Sequence, residues 1–176
     1  MKKLLDITIT LLFFPVLLVI YPLILIVIYI SDGSPGLYKQ QRVGENGKSF
    51  LLYKFRTMDA LSSDTVHQEH YEELSKKETI EPSLTPSKPI RIENDDRITN
   101  IGNFLRKTSL DELPNLINVL RGEMSIVGPR PLVKYESDLY GDYQKIRNTV
   151  KPGITGLAQI QGRLDLSLQE RLYWDL

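Results

Sequence analysis

Apolar residues recur in three different rhythms along this chain, and each rhythm predicts a different element. From Leu4 to Ile30, "LLDITITLLFFPVLLVIYPLILIVIYI", they are almost continuous, 27 residues with Asp6 as the one charge. Continuity over that length predicts a helix inserted in a membrane, and no small-residue cleavage site follows to mark a signal peptide. After the turn cluster "SDGSPG", runs rich in Tyr, Val, Phe and Leu flank Asn46-Gly47, a strong two-residue turn signal. They predict a β-hairpin with Lys48, Lys54 and Arg56 near its second strand. Helical spacing then takes over. A short helix is expected near Thr65–Lys77, an amphipathic one through Ile98, Ile101, Phe104 and Leu105, and another on Leu113, Leu116, Ile117 and Leu120. Val133, Leu139, Tyr143 and Ile146 suggest a further helix, and "LSLQERLYWDL" starts a last one. The segment 59–92 is polar, is punctuated by Pro82, Pro86 and Pro89, and is expected to be partly mobile beyond its helix. "KPGITGLAQIQGR" reads as a loop shaped by Pro and Gly. The pattern as a whole predicts an α+β, mostly helical fold with a membrane anchor over 1–30 and a second domain over 31–176.

Whether the anchor crosses the membrane is a separate question. A straight helix over this run would reach roughly 40 Å, against a hydrocarbon core of about 30 Å. Pro15 and Pro22 each remove a backbone donor and would bend or break it. Lys2 and Lys3 precede the run, and Lys39, Arg42, Lys48, Lys54 and Arg56 follow it, opposed by Asp32 and Glu45. Positive charge on both flanks places both ends in the cytoplasm. A re-entrant helix that enters, bends and leaves by the same face satisfies both observations, with a tilted single-pass helix as the alternative.

Composition removes several classes. The chain of 176 residues has 22 Lys+Arg against 22 Asp+Glu, so no basic field argues for nucleic acid. With no Cys, disulfide scaffolds, thiolate metal sites and Cys nucleophiles are excluded. His67 and His70 sit at i, i+3 without an evident third ligand and read as solvent-exposed. There is no P-loop, dinucleotide fingerprint or internal repeat.

The densest chemistry lies in "RKTSLDELPNLINVL", Arg106 to Leu120. Ser109 and Glu112 have capping-box spacing, and Pro114 is tolerated near a helix start, so Asp111 and Glu112 are expected in a first helical turn. That is a complete structural explanation. A helix start with Arg106 and Lys107 beside it is also suited to an anion such as phosphate. One carboxylate could attack phosphorus while the other holds Mg²⁺, which prefers oxygen ligands. In "VGPRPL", Pro129 and Pro131 restrict the backbone around Arg130 and present its guanidinium at low entropic cost.

These blocks, "YKFRTM", "DDRITNIGNFLRKTSLDELPNLINVLRGEMSIVGPRPL" and "KPGITGLAQIQGR", closely resemble the bacterial sugar transferases, the monotopic phosphoglycosyl transferases. The resemblance implies an enzyme of the bacterial inner membrane with its catalytic domain on the cytosolic face. Its activity would be transfer of a sugar-1-phosphate from a UDP-sugar to polyprenol phosphate, with release of UMP, to start surface-glycan assembly. By the same resemblance Asp111 is the nucleophile that forms a covalent phosphosugar intermediate, and Glu112 is its Mg²⁺-associated partner. Arg106, Arg130, Arg163, Asp175 and Lys54 are candidate substrate-binding residues, and Tyr21-Pro22 is the membrane bend. The implied partners are UDP-sugar, polyprenol phosphate, membrane lipids and downstream glycosyltransferases. The implied fold is a re-entrant helix-break-helix, a β-hairpin and amphipathic surface helices around a catalytic helix. The chain departs from the family with Tyr21 before Pro22 where Ser is usual, with Leu164 where Asn is common, and in ending at "YWDL". It looks like the minimal form.

Overall fold

The continuous apolar run folds as helix α1 (Lys2–Asp32), closed by Gly33 in the left-handed conformation. The computed structural model describes residues 1–63, 65–77, 80–85, 87–93 and 95–176. After α1 come strands β1 (Leu37–Val43) and β2 (Ser49–Phe55), helices α2 (Thr65–Lys77), α3 (Asn100–Thr108) and α4 (Asn115–Leu120), and strand β3 (Ser125–Val127). Helices α5 (Lys134–Asp138) and α6 (Tyr143–Arg147), strand β4 (Gly153–Thr155), and helices α7 (Leu157–Gln161) and α8 (Leu168–Asp175) complete the chain. The fold is α+β and mostly helical, with a long apolar N-terminal helix and a small antiparallel hairpin.

Two compact units form. The first gathers α1, the open end of the hairpin, α3 and α4; the second gathers the hairpin tip, α2, and the chain from β3 onward. In the first unit the core is Ile28, Phe55 and Leu105, with Tyr21, Ile24, Leu25, Ile101, Leu110 and Leu113 packed around them. Tyr21 therefore lies against the Phe55 ring, centroids 4.8 Å apart. Helix α1 stays helical through Pro15 and Pro22 and is a single element. Its exposure is uneven along its length. Leu11 to Val16 are exposed on every side, whereas Asp6 and Thr10 before them and Ile28 after them are buried. Among the described residues α1 is the one helix long and apolar enough to cross a membrane.

A glycine sets the closest approach in this unit. A Cβ on Gly102 would fall 2.0 Å from the Thr57 carbonyl oxygen, so only glycine lets α3 lie on the chain that leaves β2. The Thr99 amide bonds the same carbonyl, and Met58 bridges Ile98. The "YKFRTM" and "DDRITNIGNFLRK" segments meet through this contact.

The second unit packs Tyr71, Leu74, Ile90, Leu132, Tyr140, Leu168 and Leu172 together. Strands β3 and β4 pair in parallel, Ser125 opposite Gly153 and Val127 opposite Thr155. The single helix expected over Val133 to Ile146 is two short ones, because Gly141 turns the chain at φ 51° between them. Of the stretch expected to be partly mobile, residues 64, 78, 79 and 86 lie outside the described residues. Near its end Ile90 is buried, and the Ile90 and Arg91 amides bond the Leu166 and Leu164 carbonyls. The hairpin turn is as expected, with Asn46 at φ 56° and Gly47 at φ 75°.

Candidate active site

Two chain segments in the first unit bring the charged groups together. Strand β2 presents Lys54. Opposite it, α3 ends at Ser109, whose backbone is left-handed (φ 58°, ψ 16°) and reverses the chain at once into a 3-10 turn, Leu110–Glu112. Leu113 and Pro114 continue in helical conformation into α4. This corrects the capping-box expectation: Ser109 makes no side-chain cap bond here, because it serves as the C-cap of α3. The box occurs instead at Ser167 and Glu170, at the start of α8. Asp111 and Glu112 thus sit in a tight turn before a six-residue helix, too short for a strong dipole of its own. Arg106 and Lys107 occupy the last turn of α3, where their charge suits that helix's negative end.

Electrostatic balance at the pair comes from Lys54. Its Nζ donates to Glu112 Oε1 at 3.0 Å and stands 3.9 Å from Asp111 Oδ2. The three side chains are only 11–18% exposed, open enough for a ligand yet shielded enough for the charges to act strongly. Close by in sequence, Arg106 Nε donates to Thr57 Oγ1 at 2.8 Å, which fixes the direction of its guanidinium. Asp95 grips Arg97 with two bonds of 2.7 Å. That hydrogen bonding holds the Asp95 carboxyl below its usual range, partial burial opposes the shift, and the charges of Arg97 and Arg106 add to it. Thr57 was not singled out from the sequence, although its place inside "YKFRTM" was the available signal.

The other predicted residues belong to the second unit. Arg163 is exposed and left-handed at φ 55°, at the start of a 3-10 turn after α7. Arg130 is half-buried, and its carbonyl accepts from Arg147 Nη2. The Asp175 carboxylate is sealed against Arg147, with Nη2 to Oδ2 at 2.7 Å. The histidines, expected to be solvent-exposed, are half-buried, and each has a partner. His67 Nδ1 lies 2.6 Å from the Tyr135 hydroxyl, and His70 Nε2 lies 3.0 Å from the Ile90 carbonyl.

Among the described residues no group of three or more His, Cys, Asp or Glu could enclose a metal. The Asp111–Glu112 pair nevertheless fits magnesium, which is commonly held by one or two carboxylates and completed by substrate phosphates and water. One turn further on, Asn115 Oδ1 is buried and has no hydrogen-bond partner, another hard oxygen near the pair in sequence.

The family described as bacterial sugar transferase matches residues 1–176. The chain is 44% identical over 162 residues to the undecaprenyl-phosphate galactose phosphotransferase of Salmonella typhimurium, covering 91% of this chain and 33% of that protein. It is 40% identical over 153 residues to the UDP-glucose:undecaprenyl-phosphate glucose-1-phosphate transferase of Escherichia coli, covering 84% of this chain and 28% of that one. The exopolysaccharide production protein ExoY of Sinorhizobium fredii is 41% identical over 174 residues, covering 99% of this chain and 74% of the relative. The chain therefore spans about a third of the length of the first of these relatives and most of the last.

Proposed function

The chain belongs to the bacterial sugar transferase family, and on that premise we propose that it transfers a sugar-1-phosphate from a UDP-sugar to a polyprenol phosphate at a membrane. The observation that carries the reading is Lys54 clasping the Asp111–Glu112 pair in the same unit as α1. An Asp111 carboxylate oxygen attacks the β-phosphorus of the nucleotide sugar, and the bond to the α-phosphate breaks, so UMP leaves. The acyl-phosphate left on Asp111 is then attacked by a phosphate oxygen of the polyprenol carrier, which takes the sugar-1-phosphate and restores the carboxylate. Both steps bring anions together. Lys54 offsets the negative charge of the pair, and Arg106, oriented by Thr57, is a cation for the arriving diphosphate. Magnesium held by Asp111 and Glu112 would further polarise the phosphoryl oxygens when bound. The names of the relatives support undecaprenyl phosphate as carrier and exopolysaccharide synthesis as the outlet.

The test uses the full chain in detergent with UDP-glucose or UDP-galactose, polyprenol phosphate and Mg²⁺. Asp111→Asn should lower UMP release by about 10⁴-fold or more, as expected when a covalent nucleophile is lost. It should also abolish sugar label retained on the protein when acceptor is omitted. Substantial turnover by this variant overturns the assignment of Asp111.

The re-entrant form of α1 is part of the same proposal. Six consecutive residues exposed on every side, with buried positions before and after them, suit a helix that dips into lipid and returns by bending at its prolines. Both charged flanks then lie in the cytosol, beside the catalytic domain on the inner face of the cytoplasmic membrane. The chain has no Cys, so single cysteines at Lys2 and Ser31 report topology without background. Both should react with an impermeant maleimide from the same side of inverted vesicles, and reaction from opposite sides would establish a spanning helix.

A further inference from the structure

Asn118 is a polar residue in the apolar run of α4, and it is fully buried. Its carboxamide makes three hydrogen bonds. Oδ1 accepts from the Tyr53 amide at 3.3 Å, and Nδ2 donates to the Leu51 carbonyl at 2.7 Å and to Glu123 Oε2 at 2.8 Å. The two backbone partners lie two residues apart on β2, so they face the same edge of that strand. Among the described residues strand β1 is the one strand neighbour of β2, and these two groups are taken up by a side chain. A carboxamide has a donor and an acceptor in one plane, as a peptide group does, and here it stands in for the missing strand.

We infer that Asn118 is a positioning residue for the reaction proposed above, holding β2 in register so that Lys54 rests on Asp111 and Glu112. Lys54 is the residue after Tyr53, and its Nζ reaches Glu112 at 3.0 Å. Asn118 stands on the helix that follows the two carboxylates. One carboxamide thereby ties the strand that carries the cation to the segment that carries the anions. Arg121, at the end of α4, adds a weaker tie, bonding the Tyr53 hydroxyl at 2.8 Å across an exposed surface. Neither aspartate nor leucine can replace the amide. The former presents only acceptors to the Leu51 carbonyl and Glu123, and the latter presents nothing.

The inference rests on the transferase reading, so its test has one arm that needs no activity. In the full-length protein, Asn118→Leu should raise the acylation rate of Lys54, read by mass spectrometry, about tenfold, the scale of one lost charge-assisted hydrogen bond. The rate at exposed Lys145 should not change. In the activity arm kcat should fall ~10–100-fold with little change in KM, the scale of a displaced catalytic group. The Lys54→Met/Asn118→Leu double variant should be no worse than Lys54→Met alone. An unchanged Lys54 rate, or losses that multiply in the double variant, overturns the inference. If the native protein releases no UMP, the transferase reading falls, and a raised Lys54 rate still upholds the positioning role. Should Asn118→Leu fail to fold, Asn118→Ser, smaller and still able to make one bond, takes its place in both arms.

Discussion

Lys54 on Asp111–Glu112 and Arg147 on Asp175 are ion pairs of similar chemistry in different surroundings. The first pair is 15–18% exposed at Lys54 and Glu112; the second is 2% and 1% exposed. In the first unit charge is held partly open to solvent, and the cation is a lysine, a point charge on a flexible stem. In the second unit charge is closed over. Arg147 reaches Asp175 with both Nε and Nη2 and also donates to the Arg130 carbonyl. Arg171, also buried, donates to the hydroxyls of Tyr140 and Tyr71 and lies over both rings. Burial, more than residue type, decides whether a pair is available for chemistry or locks a fold.

The comparison breaks most visibly by removing one partner from each pair. Arg147→Leu leaves the Asp175 carboxylate buried without its cation and should cost about 3–5 kcal/mol, read as a lowered unfolding midpoint in detergent. The double variant Arg147→Leu/Asp175→Leu should recover much of that loss, because an apolar pair leaves no charge stranded. Lys54→Met should change stability by only about 1 kcal/mol, the scale of a partly exposed pair, while activity collapses. Equal stability losses at the two sites would end the distinction between a reactive pair and a structural one.

Much of this was legible in the sequence where a local rule was strong. Asn46-Gly47 demanded positive φ at both positions and delivered the hairpin. The short helix expected near Thr65–Lys77 is α2. The Asp111–Glu112 pair stood out because two carboxylates, two bases and a proline fell within nine residues of one another. Ser109 misled because its spacing fits two devices, an N-cap and a left-handed C-cap, and only the reversal after α3 chooses between them. Strand β4 and helix α7 fall where a loop was expected, and β3 had no expected element, since such short pieces carry no period and the β3–β4 pairing joins distant segments. Arg147 carried no signal of its own in the sequence, because its burial depends on Asp175 at the far end of the chain. Asn118 left no such trace, because the spacing of Leu113, Leu116, Ile117 and Leu120 puts it on the other side of the helix, where an amide reads as solvated, and its burial appears only in the fold.

Acid separates the two units more gently. Glu136, in the second unit, is buried, which opposes ionisation, but the charges of Arg171, Arg42, His67 and Arg130 outweigh that and hold its carboxyl below the ordinary range. A carboxyl lowered on folding contributes stability that is complete above its unfolded value and is lost as pH falls through the folded one. The loss should therefore begin near pH 4.3 and deepen below it. Arg42 approaches Glu136 from β1, far away in sequence, so this contribution disappears when the chain unfolds. Asp95, in the first unit, is lowered as well, but Arg97 is two residues away and can remain a neighbour in the unfolded chain. Its folded and unfolded states differ less, and its share of the acid sensitivity should be the smaller one. Unfolding midpoints measured from pH 6 to pH 3 should fall less steeply for Glu136→Gln than for the native protein, while Asp95→Asn should follow the native curve closely. The reverse order would mean that the sealed charges of the second unit are not what holds it in acid.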